Sequence, residues 1–124
     1  FYPPGYPLLL SLPVGLFGIT PAGLTAAALL STLCGVAALF PIRRLLEPRV
    51  GPGAAVALTL LQGTAVPQLQ MAGAVFSEPT FQLVLAVTLL NADRLLRKDL
   101  VRFPPWYVTG LLCGAGFLVR TIGF

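Results

Sequence analysis

The charged residues of this chain are gathered into a few patches, and this distribution constrains its fold more than any other feature. Uncharged stretches lie between the patches, at 1–42, 50–77, 79–92 and 103–119. Most are close to the roughly 17–25 residues that an α-helix needs to cross a bilayer. Only 10% of the residues are charged, whereas soluble domains carry about a quarter. We therefore expect an integral membrane protein and not a soluble globular domain.

The basic residues predict the orientation of the chain in the membrane. Two clusters, at 43–49 and 94–102, contain seven of the eight basic side chains. Each cluster lies between two apolar stretches, where cytoplasmic loops collect positive charge. The bases do not form a stripe interleaved with aromatic residues, as in proteins that bind nucleic acid. We therefore expect membrane lipids as partners and no nucleic acid, although the net charge is +4.

These patterns predict an all-α, polytopic membrane helix bundle with about four transmembrane helices and a short N-terminal interfacial helix. The predicted spans are about 21–42, 53–71, 79–96 and 105–121, and the interfacial helix covers 7–18. The third span reaches full length only if its polar end, from Asn91 to Arg94, lies at the membrane interface. We expect residues 1–124 to form a single transmembrane segment of a larger protein.

Proline and glycine predict where the first helices begin and end. The prolines and glycine at 3–7 favour an extended or turning start. Thr20 is a suitable N-cap for a helix with Pro21 in its first turn. The segment 47–53 combines charge with proline and glycine, which predicts the turn before the second span.

Similar features frame the last two spans. Ser77 is a reasonable cap for a helix that begins at Pro79. The sequence Phe-Pro-Pro at 103–105 predicts a stop, followed by the last helix from about Trp106. Within that helix, Gly110 and Gly114 have the GxxxG spacing that permits close helix packing.

The chemical inventory is small, because the chain has no histidine and four acids, Glu47, Glu78, Asp93 and Asp99. Glu78 is the sole acid expected on the outward face. It is either a first-turn acid favoured by the helix dipole, worth about 0.3–1 kcal/mol, or a carboxylate that binds a metal ion or a polar head group. Arg120 either reaches the outer headgroups by snorkelling or pairs with a phosphate or with Glu78.

Three motifs then carry a resemblance: FYPPGYPLLL at the start, FSEPTFQLVLAV from 76 and GLLCGAGFLVRTIGF from 110. In this order and spacing, the chain resembles the C-type membrane glycosyltransferases, particularly the bacterial dolichyl-phosphate-mannose and protein-mannosyltransferase-like families. The resemblance covers essentially the whole chain. It implies transfer of a sugar from a polyprenyl- or dolichyl-phosphate carrier to a protein, lipid or glycan acceptor at the outer membrane face.

The resemblance also implies roles for individual residues. The general base is expected in an external loop upstream of Phe1, so no catalytic residue is expected in this chain, and we expect the 124-residue chain alone to be inactive. A divalent metal ion or basic side chains would neutralise the departing lipid phosphate. Glu78 would contact the donor head group or a metal ion. Arg120 would contact phosphate or brace the floor of the active site, and Tyr2 and Tyr6 would line the substrate site.

Two alternatives remain open. The mannosyltransferases of glycolipid-anchor synthesis have a similar start and acidic helix entry, but they carry Arg-Ser-Asn where this chain has Arg120-Thr121-Ile122. A non-catalytic membrane scaffold or small transporter would use the glycine faces as packing seams. In each case we expect an integral protein, in a bacterial or archaeal plasma membrane, with the loops near 43–49 and 94–102 in the cytoplasm.

Overall fold

The computed structural model describes residues 4–65, 77–97 and 103–119. Within these ranges the chain is helical and contains no strand, which confirms the predicted all-α class. The helices are α1 (Gly5–Phe17), α2 (Pro21–Val50), α3 (Pro52–Gly63), α4 (Glu78–Arg97) and α5 (Phe103–Val119).

The longest helix, α2, occupies the centre of the fold. It packs against α1, α3 and α4, while α5 packs against α4 and touches α1. Its start follows the prediction, because Thr20 has an extended backbone and its Oγ1 accepts a hydrogen bond of 3.2 Å from the amide of Gly23. Pro21 occupies the first turn, where the missing amide hydrogen has no helical partner to lose.

The buried face of α2 is built from small residues. These residues repeat every three or four positions, which places them on one side of the helix: Gly23, Ala27, Ser31, Gly35 and Ala38. Small side chains allow neighbouring helix backbones to approach closely. The buried hydroxyl of Ser31 donates 3.2 Å to the carbonyl of Ala27 in its own helix, so burying it leaves no unpaired polar group.

The large apolar side chains lie on the outside of the bundle. Exposed examples occur on α1, α2, α3 and α5: Leu8, Leu12, Leu16, Leu33, Phe40, Leu60, Leu61, Leu111 and Phe117. Only 28% of the most apolar 18 residues of α2 are buried, unlike the core helix of a soluble protein. Large contiguous apolar surfaces mark contact with a membrane or with another protein.

Helix α2 is the candidate membrane-spanning element of the fold. Among the described residues, α2 is the helix that is both long and apolar enough to cross a bilayer. Helices α1 and α3 and the segment Trp106–Val119 are apolar but shorter.

The predicted turn at 47–53 was wrong for most of its length. Helix α2 continues through Pro48 to Val50, and α3 begins at Pro52. Only Gly51 leaves the helical conformation, with a φ of 83°, in the left-handed region that glycine enters without a steric penalty. Proline in a helix costs one backbone hydrogen bond, and here this cost does not end α2.

Three helix starts also differ from the predictions. Helix α1 begins at Gly5, within the segment 3–7 that was expected to be extended, and α5 begins at Phe103, so the predicted proline stop at 103–105 lies in its first turn. Proline is compatible with a first turn because the amides there lack helical partners. Helix α4 begins at Glu78, one residue before the predicted start. The part of the predicted span 53–71 beyond residue 65 lies outside the described residues.

Helix α1 packs along α2 as the first arm of a helical hairpin, and its predicted position at the membrane interface stays a prediction. Tyr6 near its start meets Ser31, and Phe17 at its end lies beside Gly23, so the two helices are antiparallel. From Pro21 to Ser31 the axis of α2 rises about 15 Å. Helix α4 begins and α5 ends near the level of Tyr6. The α1–α2 hairpin therefore extends about 15 Å beyond these two helix ends.

Candidate functional site

Tyr6 lies where parts of four helices come together, and its hydroxyl oxygen is 2.9 Å from Ser31 Oγ. Ser31 Oγ also bonds to the carbonyl oxygen of Ala27. Either hydroxyl can be the donor in the bond between Tyr6 and Ser31. In both cases the Tyr6 oxygen retains a lone pair that can accept a bond from another donor.

Glu78, the first residue of α4, lies close enough to Tyr6 to act on it electrostatically. Burial raises the pKa of the Tyr6 hydroxyl above its ordinary value of 10.0, and the carboxylate of Glu78 raises this pKa further, while the Ser31 bond opposes the shift. Tyr6 is therefore protonated at physiological pH. Two of the predicted site residues, Tyr6 and Glu78, thus lie within electrostatic range of each other, although 72 positions separate them in sequence.

The C-terminal end of α5 reaches the same place. A methyl group added at Gly5 would lie 2.9 Å from both the carbonyl carbon and the carbonyl oxygen of Leu118. This close approach brings α5 against the residue next to Tyr6. The predicted site residues Tyr2 and Arg120 lie outside the described residues, so their predicted roles stay predictions.

Thr80 adds a buried hydroxyl in the first turn of α4. The residue is 7% exposed, and its Oγ1 has no hydrogen-bond partner among the described residues. A buried hydroxyl without a partner costs about 1–3 kcal/mol. This hydroxyl lies two residues from Glu78 and can both donate a hydrogen bond to a ligand and accept one from it.

The opposite end of α4 carries a separate charged cluster. Asp93 Oδ1 lies 2.7 Å from Nη2 of Arg49, and Asp93 Oδ2 lies 2.8 Å from Nε of Arg97. The first of these bonds joins the ends of α2 and α4, and the second lies within α4. The axis of α4 rises about 22 Å between Glu78 and Asp93, so the two sites are at opposite ends of the bundle.

A divalent metal ion, which the resemblance implies, fits the described residues only in part. Glu78 is the acid at this end, and no group of three histidine, cysteine or acidic residues comes together in the described ranges. One carboxylate suits Mg²⁺ that is otherwise held by water and substrate phosphates, but it does not make a cage of protein ligands. We derive no step through a metal ion.

Sequence reasoning missed Ser31 and Thr80. Ser31 belongs to the small-residue series of α2, a pattern that predicts packing and carries no information about a tyrosine 25 positions away. Thr80 looks like an ordinary residue of a helix start. Only its burial in the packed bundle distinguishes it.

No protein-family model matches this chain, and neither a curated protein nor a solved structure is significantly similar to it.

Proposed function

We propose that this chain is part of an integral membrane glycosyltransferase. The enzyme transfers a sugar from a polyprenyl- or dolichyl-phosphate carrier to a protein, lipid or glycan acceptor at the outer face of the membrane. The observation that carries the proposal is that Tyr6 lies within electrostatic range of Glu78, while Gly5 beside it touches the end of α5. These elements belong to the three motifs that resemble the C-type glycosyltransferases.

The proposal includes a polytopic arrangement in which four helices, beginning with α2, cross the bilayer. Its support is the inverted packing of the bundle, with small residues inside and large apolar residues outside. Helices in a membrane associate through small residues and hydrogen bonds, because lipid tails are as apolar as leucine. The basic end of α2 and α4 faces the cytoplasm in this arrangement.

The chemistry at the outward end suits a lipid-phosphate donor. Tyr6 and Thr80 offer hydroxyls, and Glu78 offers a carboxylate that can accept bonds from sugar hydroxyls. These groups bind and orient the donor, and the proton-abstracting base comes from outside this chain. Glu78 contacts the donor head group, and Arg120 contacts its phosphate.

The test is the substitution Glu78→Gln in the complete protein, assayed in membranes with a panel of radiolabelled polyprenyl-phosphate hexoses. We expect transfer to fall by about tenfold or more, as when a positioning contact is removed. The matched control is Glu47→Gln, which removes an acid from the basic end of α2. Unchanged transfer in Glu78→Gln would reject the role of Glu78, and absence of transfer by the unmodified protein would reject the enzyme.

The topology has its own test. Single cysteines replacing Ile19 at the tip of the hairpin and Arg44 on α2 are labelled in intact cells with a membrane-impermeant thiol reagent, in a background without Cys34 and Cys113. We expect labelling of the first position from outside and of the second only after lysis. Labelling of both in intact cells would contradict the proposed orientation.

A further inference from the structure

The charged cluster at the basic end consists of Arg49, Asp93 and Arg97, and we call it the Asp93 cluster. One carboxylate holds two guanidinium groups, at 2.7 and 2.8 Å. Asp93 is 17% exposed, while each arginine side chain is 52% exposed. The carboxylate is therefore covered, and the two guanidinium groups form the outer surface of the cluster.

Both arginines retain donors for a further anion. A guanidinium carries five N–H groups, and the bonds to Asp93 and from Arg49 to the carbonyl of Leu45 occupy only part of them. The cluster keeps a net positive charge because two guanidinium groups share one carboxylate. Arg94, exposed in the same last turn of α4, adds to the positive potential.

The cluster is also held in place before any ligand arrives. Asp93 fixes both guanidinium groups between the ends of α2 and α4, so little side-chain freedom is lost on binding. Planar guanidinium groups match the oxygens of a phosphate in paired hydrogen bonds. Basic sites between transmembrane helices on the cytoplasmic side bind anionic headgroups.

We propose that the Asp93 cluster is a binding site for the phosphate of an anionic phospholipid headgroup in the cytoplasmic leaflet. This inference depends on membrane association of the chain and not on sugar transfer. The partner is a lipid, because the exposed apolar side chains of Val50 and Leu96 lie beside the cluster and offer a surface for acyl chains. Free inorganic phosphate can make the same hydrogen bonds to the arginines, but it has no acyl chains to bind that surface.

The test measures lipid retained by the purified complete protein in mixed phosphatidylglycerol and phosphatidylcholine, by native mass spectrometry. The variant Arg49→Lys/Arg97→Lys keeps the charge but loses the paired geometry. We expect its retained phosphatidylglycerol to fall by about tenfold. The matched control, Arg43→Lys/Arg44→Lys, alters two exposed arginines on α2 that take no part in the bonds to Asp93, and we expect it to stay within about twofold, since diffuse attraction depends on charge alone.

Three results would overturn the proposal: no preference of the unmodified protein for phosphatidylglycerol, an equal loss in both double variants, or full displacement of the lipid by inorganic phosphate. Thermal unfolding in phosphatidylcholine alone checks that the variants fold. If the double variant unfolds early, Arg97→Lys alone replaces it, because Arg49 then still joins the two helices through Asp93. A loss of retained lipid in that single variant would support the site, and no loss would reject it.

Discussion

The hydroxyl oxygen of Tyr6 lies 2.9 Å from Ser31 Oγ, and this hydrogen bond joins the start of α1 to α2. The bond sets the direction of α1, because it holds one end of that helix while the turn at Gly18 holds the other. Gly5, next to Tyr6, touches the end of α5, and Glu78 lies within electrostatic range of Tyr6. The candidate site thus depends on how the α1–α2 hairpin closes.

A double-mutant cycle tests this relationship. We expect Tyr6→Phe and Ser31→Ala each to lower the free energy of unfolding, and the pair to show a coupling energy of about 0.5–1 kcal/mol, since each change removes the same hydrogen bond. Reversible unfolding in mixed detergent micelles measures this coupling. Strictly additive effects would show that the two hydroxyls do not bond.

The raised pKa of Tyr6 predicts a loss of stability at alkaline pH. The folded state holds the phenol proton more tightly than the unfolded state, whose ordinary pKa is 10.0. The contribution of the bound Tyr6 proton to the free energy of unfolding is therefore complete below about pH 10. It is lost as the pH rises through the pKa of Tyr6 in the folded state. Unfolding midpoints measured from neutral to alkaline pH should fall more steeply for the unmodified protein than for Tyr6→Phe. Identical slopes would mean that the pKa of Tyr6 is not raised.

The starts of α2 and α4 were predicted closely from residues that are adjacent in the sequence. Thr20 and Pro21 start α2 as expected, and the Ser-Glu-Pro motif places Glu78 at the start of α4. The expected turn at 47–53 was too long because a helix can continue through Pro48 at the cost of one backbone bond. Gly51 alone supplies the break.

The arrangement of the site could not be predicted from local patterns. Tyr6 and Glu78 were singled out by their motifs, but their proximity follows from the direction in which α1 packs on α2. The sequence favoured an interfacial position for α1, since its apolar run is short and interrupted by Pro13. Small residues along α2, including Ser31, create the surface that α1 covers.

The contact between Gly5 and Leu118 predicts sensitivity to a single methyl group. In Gly5→Ala, the new carbon would lie 2.9 Å from backbone atoms of Leu118, so one helix must shift, at a cost of about 1–3 kcal/mol. The control is Gly15→Ala in the same helix, where nothing lies within 4 Å of the added carbon. This control should gain up to about 1 kcal/mol from reduced chain entropy. Equal unfolding midpoints for the two variants would contradict the close approach of α1 and α5.

Thr80 offers the sharpest distinction between a structural and a functional role. Replacing it with valine exchanges a buried, unpaired hydroxyl for a methyl group of similar size, which should raise the free energy of unfolding by about 1–2 kcal/mol. The control is Thr88→Val on the same helix, whose hydroxyl donates 2.7 Å to the carbonyl of Val84. Because that carbonyl keeps its backbone partner, we expect the control to change stability by less than about 0.5 kcal/mol.

The same pair of variants shows whether the Thr80 hydroxyl serves the donor. Sites that bind ligands often retain groups that destabilise the free protein. We therefore expect Thr80→Val to be more stable and yet slower in sugar transfer, while Thr88→Val is unchanged in both. A gain in stability with undiminished transfer would leave the hydroxyl without a role in binding. A loss of stability would mean that the hydroxyl has a partner in the folded protein and that its burial is already compensated.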